Sequence, residues 1–296
     1  MPRTLRFRAD REQLDDVEAT LWALGAHAVT LCDAGDEALL EPGPGETPLW
    51  ARAQVEALLP DDVEREAALR ALAADGITVA PDAAELADLP ERDWERAWMD
   101  RFEPMRFGES IWICPWHIAP DPDWPLVVRL DPGLAFGSGT HPTTALCLAW
   151  LDGRDVAGKD VVDYGCGSGV LAIAAALKGA RRVLAVDHDP QALDATRDNA
   201  ARNGVGDRVV ACLPGDDGAD DADVVLANIL AGPLVKLAPT LAGRVRAGGW
   251  LVLSGILAEQ AEAVHDAYAG TLQDAGLQER EGWVRLDFRR PTDRAA

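Results

Sequence analysis

Three alternating glycines directly follow a short apolar segment, and residues 161–169 read Val-Val-Asp-Tyr-Gly-Cys-Gly-Ser-Gly. Glycine lets a backbone turn tightly where a Cβ would obstruct a ligand, and we expect Gly165 and Gly167 to serve this purpose. A second apolar segment ends at Asp187, whose carboxylate is suited to accept hydrogen bonds from a ribose diol. The pattern predicts a nucleoside site on a βαβ unit.

The glycine spacing bears on which nucleoside binds. A dinucleotide site prefers Gly-x-Gly-x-x-Gly, with a helix N-terminus facing a pyrophosphate. This chain has Gly-x-Gly-x-Gly, and Asp163 places a carboxylate just before the first glycine. Because two anions repel, the site favours S-adenosylmethionine, with its sulfonium and ammonium, over a nicotinamide or flavin cofactor. The alternative is a purely structural turn, which leaves Asp163 and Asp187 as chance surface acids.

A second glycine-rich segment, residues 130–144, reads Leu-Asp-Pro-Gly-Leu-Ala-Phe-Gly-Ser-Gly-Thr-His-Pro-Thr-Thr and precedes a helix expected at 143–151. Its glycines and proline shape a backbone that can close over a ligand. Its threonines and His141 bring hydroxyls and an imidazole. The alternative interpretation is a helix cap with a turn, although a cap needs one hydroxyl and not several.

A third candidate follows the fourth strand of the expected sheet, where residues 227–234 read Ala-Asn-Ile-Leu-Ala-Gly-Pro-Leu. Ligand crevices in open α/β sheets lie at the carboxyl ends of strands, and Asn228 offers an amide oxygen there. Many methyltransferases acting on planar nitrogens have Asn-Pro-Pro-Tyr at this place, whereas this chain has Ile229 and Leu230. The missing ring argues against a base or amide as acceptor and is compatible with a tetrahedral amine. A lone asparagine at a strand end can equally be structural.

Residues 1–92 predict a small separate unit with the β-α-β-β-α-β order of a ferredoxin-like α+β domain. Its expected strands and helices are strands at 4–9, 28–32, 38–40 and 77–80 and helices at 11–24 and 50–59. Helical spacing at 64–74 adds a further helix that this order does not need.

From residue 161 onward, apolar segments alternate with helical ones and give seven strands, the last two as a hairpin. This number matches the doubly wound sheet of class I methyltransferases better than a six-stranded dinucleotide sheet. After residue 187, strands are expected near 208–213, 223–228, 250–253, 277–281 and 283–288, and helices near 190–203, 233–245 and 258–274.

Composition limits the remaining possibilities. The 296 residues, 48% of them hydrophobic, favour two domains. We see no membrane-spanning segment and no signal-peptide core, and therefore expect a cytoplasmic protein without membrane association. The net charge of −22 disfavours direct nucleic-acid binding, and it either attracts a basic partner or only aids solubility. Five scattered cysteines without paired spacing predict reduced thiols and no metal site.

An aromatic-rich region separates the two expected domains, with several tryptophans between Trp94 and Trp124. It suits packing at the join between the domains or, alternatively, a docking surface. We therefore expect a ferredoxin-like domain at 1–92, a linker and entry strand at 93–130, and a domain that binds S-adenosylmethionine at 131–296.

Together, residues 130–144, 163–169 and 228–234 resemble segments of the bacterial ribosomal protein L-eleven methyltransferase family in order and spacing. The first and third segments are specific to that family, whereas the second marks only the superfamily. The family usually has Gly-Thr-Gly-Thr-His where this chain has Gly-Ser-Gly-Thr-His at 137–141, a change that keeps the hydroxyl. The resemblance is clear from about residue 94 onward and weaker over the first ninety residues. It implies that residues 1–92 are a ferredoxin-like substrate-recognition domain and that residues 131–296 are the methyltransferase domain.

The resemblance implies a protein N-methyltransferase that uses S-adenosylmethionine and acts on a large-subunit ribosomal protein, free or on the ribosome. The implied acceptors are lysine side-chain amines and the N-terminal amine. The family's cofactor contacts fall on Thr144, Gly165, Asp187 and Asn228 of this chain. We add four further cofactor-binding candidates, namely Phe136, Gly137, Asp163 and Gly167.

The implied reaction is direct methyl transfer to an amine, without a metal or a covalent enzyme intermediate. A lysine with a pKa of about 10.4 is neutral only about once in 2,500 at pH 7, so the amine must lose a proton. His141 is the candidate proton acceptor, and Asn228 is the candidate for orienting the amine lone pair. A small-metabolite methyltransferase and a non-catalytic module that binds S-adenosylmethionine are the alternatives, and we expect a monomer.

Overall fold

The computed structural model describes residues 3–35, 50–88, 103–130, 141–216, 218 and 221–292. The chain forms two compact units, Met1–Asp93 and Trp94–Ala296. Within the described ranges, every helix is too short or too polar to cross a bilayer. The strand expected at 38–40 and the candidates Phe136 and Gly137 lie outside the described residues.

In its described residues, the first unit is a four-stranded antiparallel sheet with two α-helices, in the sheet order β2-β3-β1-β4. Its elements are β1 Arg3–Asp10, α1 Leu14–Ala23, β2 Ala28–Asp33, β3 Arg52–Leu59, α2 Arg65–Ala74 and β4 Glu85–Asp88. Leu14, Val17 and Leu21 lie on one face of α1 and are almost completely buried with Phe7 of β1. The β-α-β-β-α-β order is therefore the ferredoxin-like order that the sequence predicted.

Two predicted elements of this unit are wrong. Residues 50–59, expected as a helix, contain strand β3, and residues 77–80, expected as a strand, lie outside any helix or strand. Along β3 every second residue is buried, which is the two-residue period of a strand. Alanine and leucine favour a helix locally, but pairing with β1 over eight residues overrides that preference. The further helix expected at 64–74 is α2, the second helix of the ferredoxin-like order.

The second unit begins, in its described part, with a three-stranded sheet of β5 Met105–Phe107, β6 Ile111–Cys114 and β7 Leu126–Arg129. Aromatic side chains pack within this region. The rings of Trp112 and Trp124 stack 4.2 Å apart, and Trp116 lies between the guanidiniums of Arg129 and Arg202. These tryptophans therefore make contacts inside the second unit.

A seven-stranded sheet forms the centre of the second unit, in the order β10-β9-β8-β11-β12-β14-β13. Its strands are β8 Asp160–Tyr164, β9 Arg182–Val186, β10 Val209–Cys212, β11 Ala222–Asn228, β12 Val245–Leu257, β13 Gln273–Arg280 and β14 Trp283–Arg289. Four neighbouring strand pairs are parallel: β10 with β9, β9 with β8, β8 with β11, and β11 with β12. Strand β14 pairs antiparallel with both β12 and β13. The predicted seven-stranded class I methyltransferase sheet with a terminal hairpin is confirmed.

Helices cover both faces of this sheet and divide its apolar residues into two buried clusters. They are α3 Pro142–Asp152, α4 Val170–Leu177, α5 Pro190–Arg202, α6 Ala231–Lys236, α7 Ala238–Gly243 and α8 Ala261–Ala269. The single helix expected at 233–245 is wrong: it is two helices, and Pro239, which has no N–H to donate, lies in the first turn of α7. The helix expected to reach residue 274 ends at Ala269, because residues 273–280 pair with β14. The strand expected at 250–253 is longer, Val245–Leu257.

A buried ion pair joins β14 to α3. Arg285 and Asp287 lie two residues apart on one face of the strand and are 7% and 5% exposed. Arg285 donates to Asp287 twice, from Nε to Oδ1 at 2.7 Å and from Nη2 to Oδ2 at 3.0 Å. Its Nη1 donates to the Leu146 carbonyl at 2.8 Å. The pair therefore fixes the helix that carries His141, Thr143 and Thr144 at its start.

We expect Asp287→Ala to lower the free energy of unfolding by about 3–5 kcal/mol, because it leaves a guanidinium buried without its counter-charge. Replacing both partners with apolar residues, Arg285→Met with Asp287→Leu, should be less damaging than the single change. Chemical denaturation measures both. The control is Asp194→Ala, which removes an exposed partner of Arg197 and should change stability by less than about 1 kcal/mol. Equal losses for the buried and exposed pairs would contradict this account.

Candidate functional site

The glycine turn between β8 and α4 has the tight geometry that the sequence predicted. Gly165, Gly167 and Gly169 all have positive φ values, +81°, +53° and +79°, which favour glycine. A Cβ at Gly169 would also lie 2.9 Å from the side chain of Thr196. The turn lies at the carboxyl ends of parallel strands, where ligand crevices form in open α/β sheets.

Asp163 lies inside the fold and is only 1% exposed. Its Oδ2 accepts the backbone N–H of Ala172 in the first turn of α4 at 3.0 Å. Its Oδ1 is buried and has no hydrogen-bond partner among the described residues. Burial raises the pKa of Asp163 to about 7, and the negative charge of Asp187 adds to the rise, while the Ala172 N–H opposes it. The alternative of a chance surface acid is therefore wrong.

Asp187 follows β9 and is 9% exposed, so it is not a chance surface acid either. Its Oδ2 accepts from the Gly167 N–H at 2.9 Å, and its Oδ1 accepts from the Asp189 N–H at 3.0 Å. The carboxylate thus connects the glycine turn to the start of α5, where Asp189 caps the helix through the Gln191 N–H. A carboxylate oxygen can accept more than one hydrogen bond, so the ribose-binding role stays a prediction.

Asn228 and Thr144 meet although 84 residues separate them in the chain. The Nδ2 of Asn228 donates to Thr144 Oγ1 at 3.3 Å, and Thr144 is fully buried in the first turn of α3. The Oδ1 of Asn228 is buried and has no hydrogen-bond partner among the described residues. An unsatisfied buried acceptor of this kind is costly, and it marks a place where a ligand N–H can donate.

Ile229 holds Asn228 in place from the next position in the chain. A Cβ on Gly165 would overlap Cγ2 of Ile229, and a Cβ on Gly255, whose φ is +86°, would overlap the Ile229 carbonyl oxygen. Both neighbours must therefore be glycine for the backbones to approach this closely. Gly255 was not predicted from the sequence, because a glycine inside a long strand has no chemical motif around it.

Ser254 joins the same cluster and was also missed. It pairs with Asn228 in the register of β11 and β12 and is fully buried. Its hydroxyl lies within reach of the carbonyls of Thr143, at 3.3 Å, and Val284, at 3.4 Å. The carboxyl ends of β11 and β12 and the start of α3 are thus joined by side-chain hydrogen bonds.

His141 caps α3. Its Nδ1 accepts the Thr143 N–H at 3.4 Å and lies 2.8 Å from Thr143 Oγ1. The imidazole lies 4.7 Å from the Trp283 ring, at 72°. Burial lowers the pKa of His141, and the negative charge of Glu281 opposes this. The helix-cap interpretation therefore holds for Nδ1, and the lowered pKa favours the neutral ring that a proton acceptor needs.

Metal and thiol chemistry have little support in the described residues. Within them, no three His, Cys, Asp or Glu side chains are grouped to hold a metal ion. Cys166, in the glycine turn, is buried, and burial followed by the charge of Asp163 raises the pKa of its thiol. A nucleophilic thiolate is therefore disfavoured at Cys166.

Comparison with known proteins gives a consistent result along the chain. The family model for ribosomal protein L11 methyltransferase matches residues 2–291. A Pseudomonas paraeruginosa protein of that name is 52% identical over 293 residues, 98% of each chain. One from Marinobacter nauticus is 53% identical over 293 residues, 97% of each chain. A crystal structure of a ribosomal protein L11 methylase from Lactobacillus delbrueckii subsp. bulgaricus has a TM-score of 0.60 and 32% identity, covering 64% of this chain and 100% of that one.

The buried position of Asp163 predicts a distinct pH dependence of stability. Its pKa is 3.8 in an ordinary environment and about 7 in the fold, so the folded state binds its proton more tightly. The resulting stabilisation is present at low pH and is lost as the pH rises through 7. We therefore expect Asp163→Asn, which resembles the protonated form, to gain roughly 2–3 kcal/mol relative to the wild type between about pH 5 and pH 8.

Denaturation at a series of pH values measures this difference. Asp152→Asn is the control. Burial opposes ionisation of Asp152, but hydrogen bonds from Ser110 and Glu109 outweigh it and lower the pKa, so Asp152 does not titrate in this window. Its difference from the wild type should therefore stay constant. A constant difference for Asp163→Asn as well would show that Asp163 is ionised in the fold.

Proposed function

Since the chain belongs to the ribosomal protein L11 methyltransferase family, we propose that it transfers methyl groups from S-adenosylmethionine to ribosomal protein L11. We extend the proposal to the acceptors, which are lysine side-chain amines and the N-terminal amine of that protein, free or on the ribosome. The observation that carries the choice of an amine is the buried Asn228 Oδ1, which has no donor among the described residues.

The residues of the glycine turn fit S-adenosylmethionine. When bound, this cofactor supplies an electrophilic methyl group on a sulfonium. Gly165 and Gly167 give the turn its close backbone, and Asp187 offers a carboxylate for the ribose diol. The unpartnered Oδ1 of Asp163 suits a cationic group such as the cofactor's ammonium. Phe136, Gly137 and Thr144 complete the proposed cofactor contacts.

Asn228 is suited to orient a neutral amine. Its Nδ2 donates to Thr144, so Oδ1 is the atom left to accept an N–H from the acceptor. A bond from the amine to Oδ1 fixes the direction of the nitrogen lone pair, and such alignment lowers the barrier to transfer. Ala231, which is buried, stands at the position where planar-nitrogen enzymes with Asn-Pro-Pro-Tyr have their aromatic ring.

The amine must first lose a proton, which at pH 7 costs roughly 4.6 kcal/mol for a lysine in water. A site that removes water from the ammonium lowers this cost. We assign the proton acceptor to His141, whose burial lowers its pKa and favours the neutral ring. Its Nδ1 is engaged with Thr143.

We assign substrate recognition to the N-terminal domain, residues 1–92, and catalysis to residues 131–296, with 93–130 as linker and entry strand. The support for this division is that every candidate residue described above belongs to the compact unit Trp94–Ala296. A net charge of −22 supports a basic protein partner over nucleic acid. We further propose a monomeric enzyme of the cytoplasm.

Incubation with methyl-labelled S-adenosylmethionine and total cell protein, followed by electrophoresis, tests the function. We expect label in a band at the size of ribosomal protein L11, and peptide mass analysis should place it on amines. Label only in small molecules would instead indicate a metabolite methyltransferase. Cofactor binding without any transfer would indicate a binding module. Purified ribosomal protein L11, free and within ribosomal particles, then distinguishes the two forms of the substrate.

We expect Asn228→Ala to lower the single-turnover rate at saturating S-adenosylmethionine by about 10²-fold or more, as for loss of one preorganised polar contact. Cofactor affinity, measured by calorimetry, should change much less. Thr144→Ser is the matched control, because it keeps the hydroxyl that accepts from Asn228 Nδ2. A near-normal rate for Asn228→Ala at saturating cofactor would remove its catalytic role and leave a cofactor contact or a structural residue.

A further inference from the structure

The turn between β13 and β14 has an unusual backbone. Glu281 has a φ of +54°, and within the described residues no other non-glycine residue has a positive φ. Gly282 follows at +78°, and its carbonyl accepts the Ala258 N–H at 2.9 Å. Two-residue hairpin turns of this type usually have asparagine or aspartate at the first position. A glutamate residue rarely has a backbone with a positive φ.

This turn lies beside the candidate site. Strand β14 is antiparallel to β12, so its first residue, Trp283, lies at the edge of the sheet where the parallel strands end. Trp283 pairs with Leu257, three residues beyond Ser254, which pairs with Asn228. Its ring contacts His141, the N-cap of α3, which precedes Thr144 by three residues. Trp283 and Asn228 thus each contact a residue at the start of the same helix.

The faces of the Trp283 ring differ from those of the other described tryptophans of this unit. Trp116, Trp150 and Trp250 each have an arginine guanidinium over the ring, and Trp112 and Trp124 stack on each other. Among the described residues, neither arrangement occurs at Trp283, whose ring contact is with His141 at a steep angle. The side chain is partly exposed, so an aromatic surface is available to a ligand.

The turn between β13 and β14 carries a negative charge, which attracts an ammonium group. Glu281 is 65% exposed, and its negative charge acts on His141. Arg280 Nε lies 3.1 Å from Glu281 Oε1 and balances the charge in part. Asp163 is buried, and both oxygens of Asp187 already accept backbone N–H groups. Of these three acids, Glu281 is therefore the one that an arriving ammonium meets in solvent.

We propose that Trp283 and Glu281 form the wall of the acceptor site that selects a primary ammonium on an alkyl chain. Glu281 attracts the ammonium as it enters, and the Trp283 indole packs along the four-carbon stem of the lysine. Indoles bind both parts of such a side chain, through apolar contact and through attraction of the cation. His141 contacts the indole, and Thr144, which accepts from Asn228, lies three residues further along the chain, so in this proposal the stem lies along the helix start with the amine directed toward Asn228. The inference rests on the proposed function.

Kinetics on ribosomal protein L11 provides the first test. We expect Trp283→Leu to lower kcat/KM by about tenfold through KM, with cofactor affinity unchanged within about twofold, and Trp283→Phe to retain most activity. Trp250→Leu is the control, because Trp250 is partly buried in the same sheet and pairs with Arg289 at the far end of β14. An unchanged KM in Trp283→Leu, at wild-type thermal stability, would overturn the proposal.

Glu281 is tested by separating its charge from its backbone conformation. Glu281→Gln and Glu281→Asn both remove the charge, and asparagine tolerates the positive φ better than glutamate does. We expect both variants to lower kcat/KM several-fold at low salt and to weaken its dependence on ionic strength. Wild-type kinetics in Glu281→Asn would show that only the turn geometry matters and would overturn the role of the charge.

A binding measurement tests the amine site without relying on methyl transfer to ribosomal protein L11. The indole N–H resonance of Trp283, identified by its absence in Trp283→Phe, is followed by NMR in the full-length protein. We expect it to shift on addition of n-butylammonium, and to shift less with n-butanol or in Glu281→Gln. If the wild type fails to methylate ribosomal protein L11 but this shift occurs, the proposed function fails and the amine site stands. No shift with n-butylammonium would overturn the amine site.

Discussion

The close approach of Ile229 to two glycines is the constraint on which the site depends. Because Gly165 and Gly255 have no Cβ, the chain after β11 lies against both the glycine turn and β12. That position places Asn228 within reach of Thr144, so the helix start, the glycine turn and two strand ends become one rigid group. Alanine at either glycine would force Ile229 outward and would also adopt a strained positive φ. The position of Asn228 is therefore set by packing rather than by the asparagine alone.

The same group leaves two buried oxygens without donors, Asp163 Oδ1 and Asn228 Oδ1. Folded proteins satisfy most buried acceptors, because each one left unpaired costs free energy. Both oxygens belong to residues near the carboxyl ends of parallel strands, β8 and β11. The fold holds these oxygens in place before any ligand arrives, so less ordering would remain for the binding of the ligands proposed above. We regard the unsatisfied oxygens as the structural mark of that function.

The sequence allowed prediction of the features that are encoded locally. The glycine turn, the helix Val170–Leu177 and the acid after β9 follow from residue type and spacing within a short segment. The errors arose where contacts with residues far away in the chain determine the local structure. Residues 52–59 are rich in alanine and leucine, yet they pair with β1 and become a strand. Gly255, Ser254 and Trp283 were missed because their importance depends on contacts with residues far away in the chain.

His141 shows how one residue can satisfy two interpretations that the sequence left open. Its Nδ1 caps α3, a structural role, and its ring lies against Trp283 beside the proposed acceptor site. A cap that uses imidazole rather than a hydroxyl fixes the ring orientation, since Nδ1 must face the helix. The second nitrogen is thereby directed away from the Thr143 N–H. Structural and catalytic roles are thus compatible here, because the capping bond provides the orientation that a proton acceptor requires.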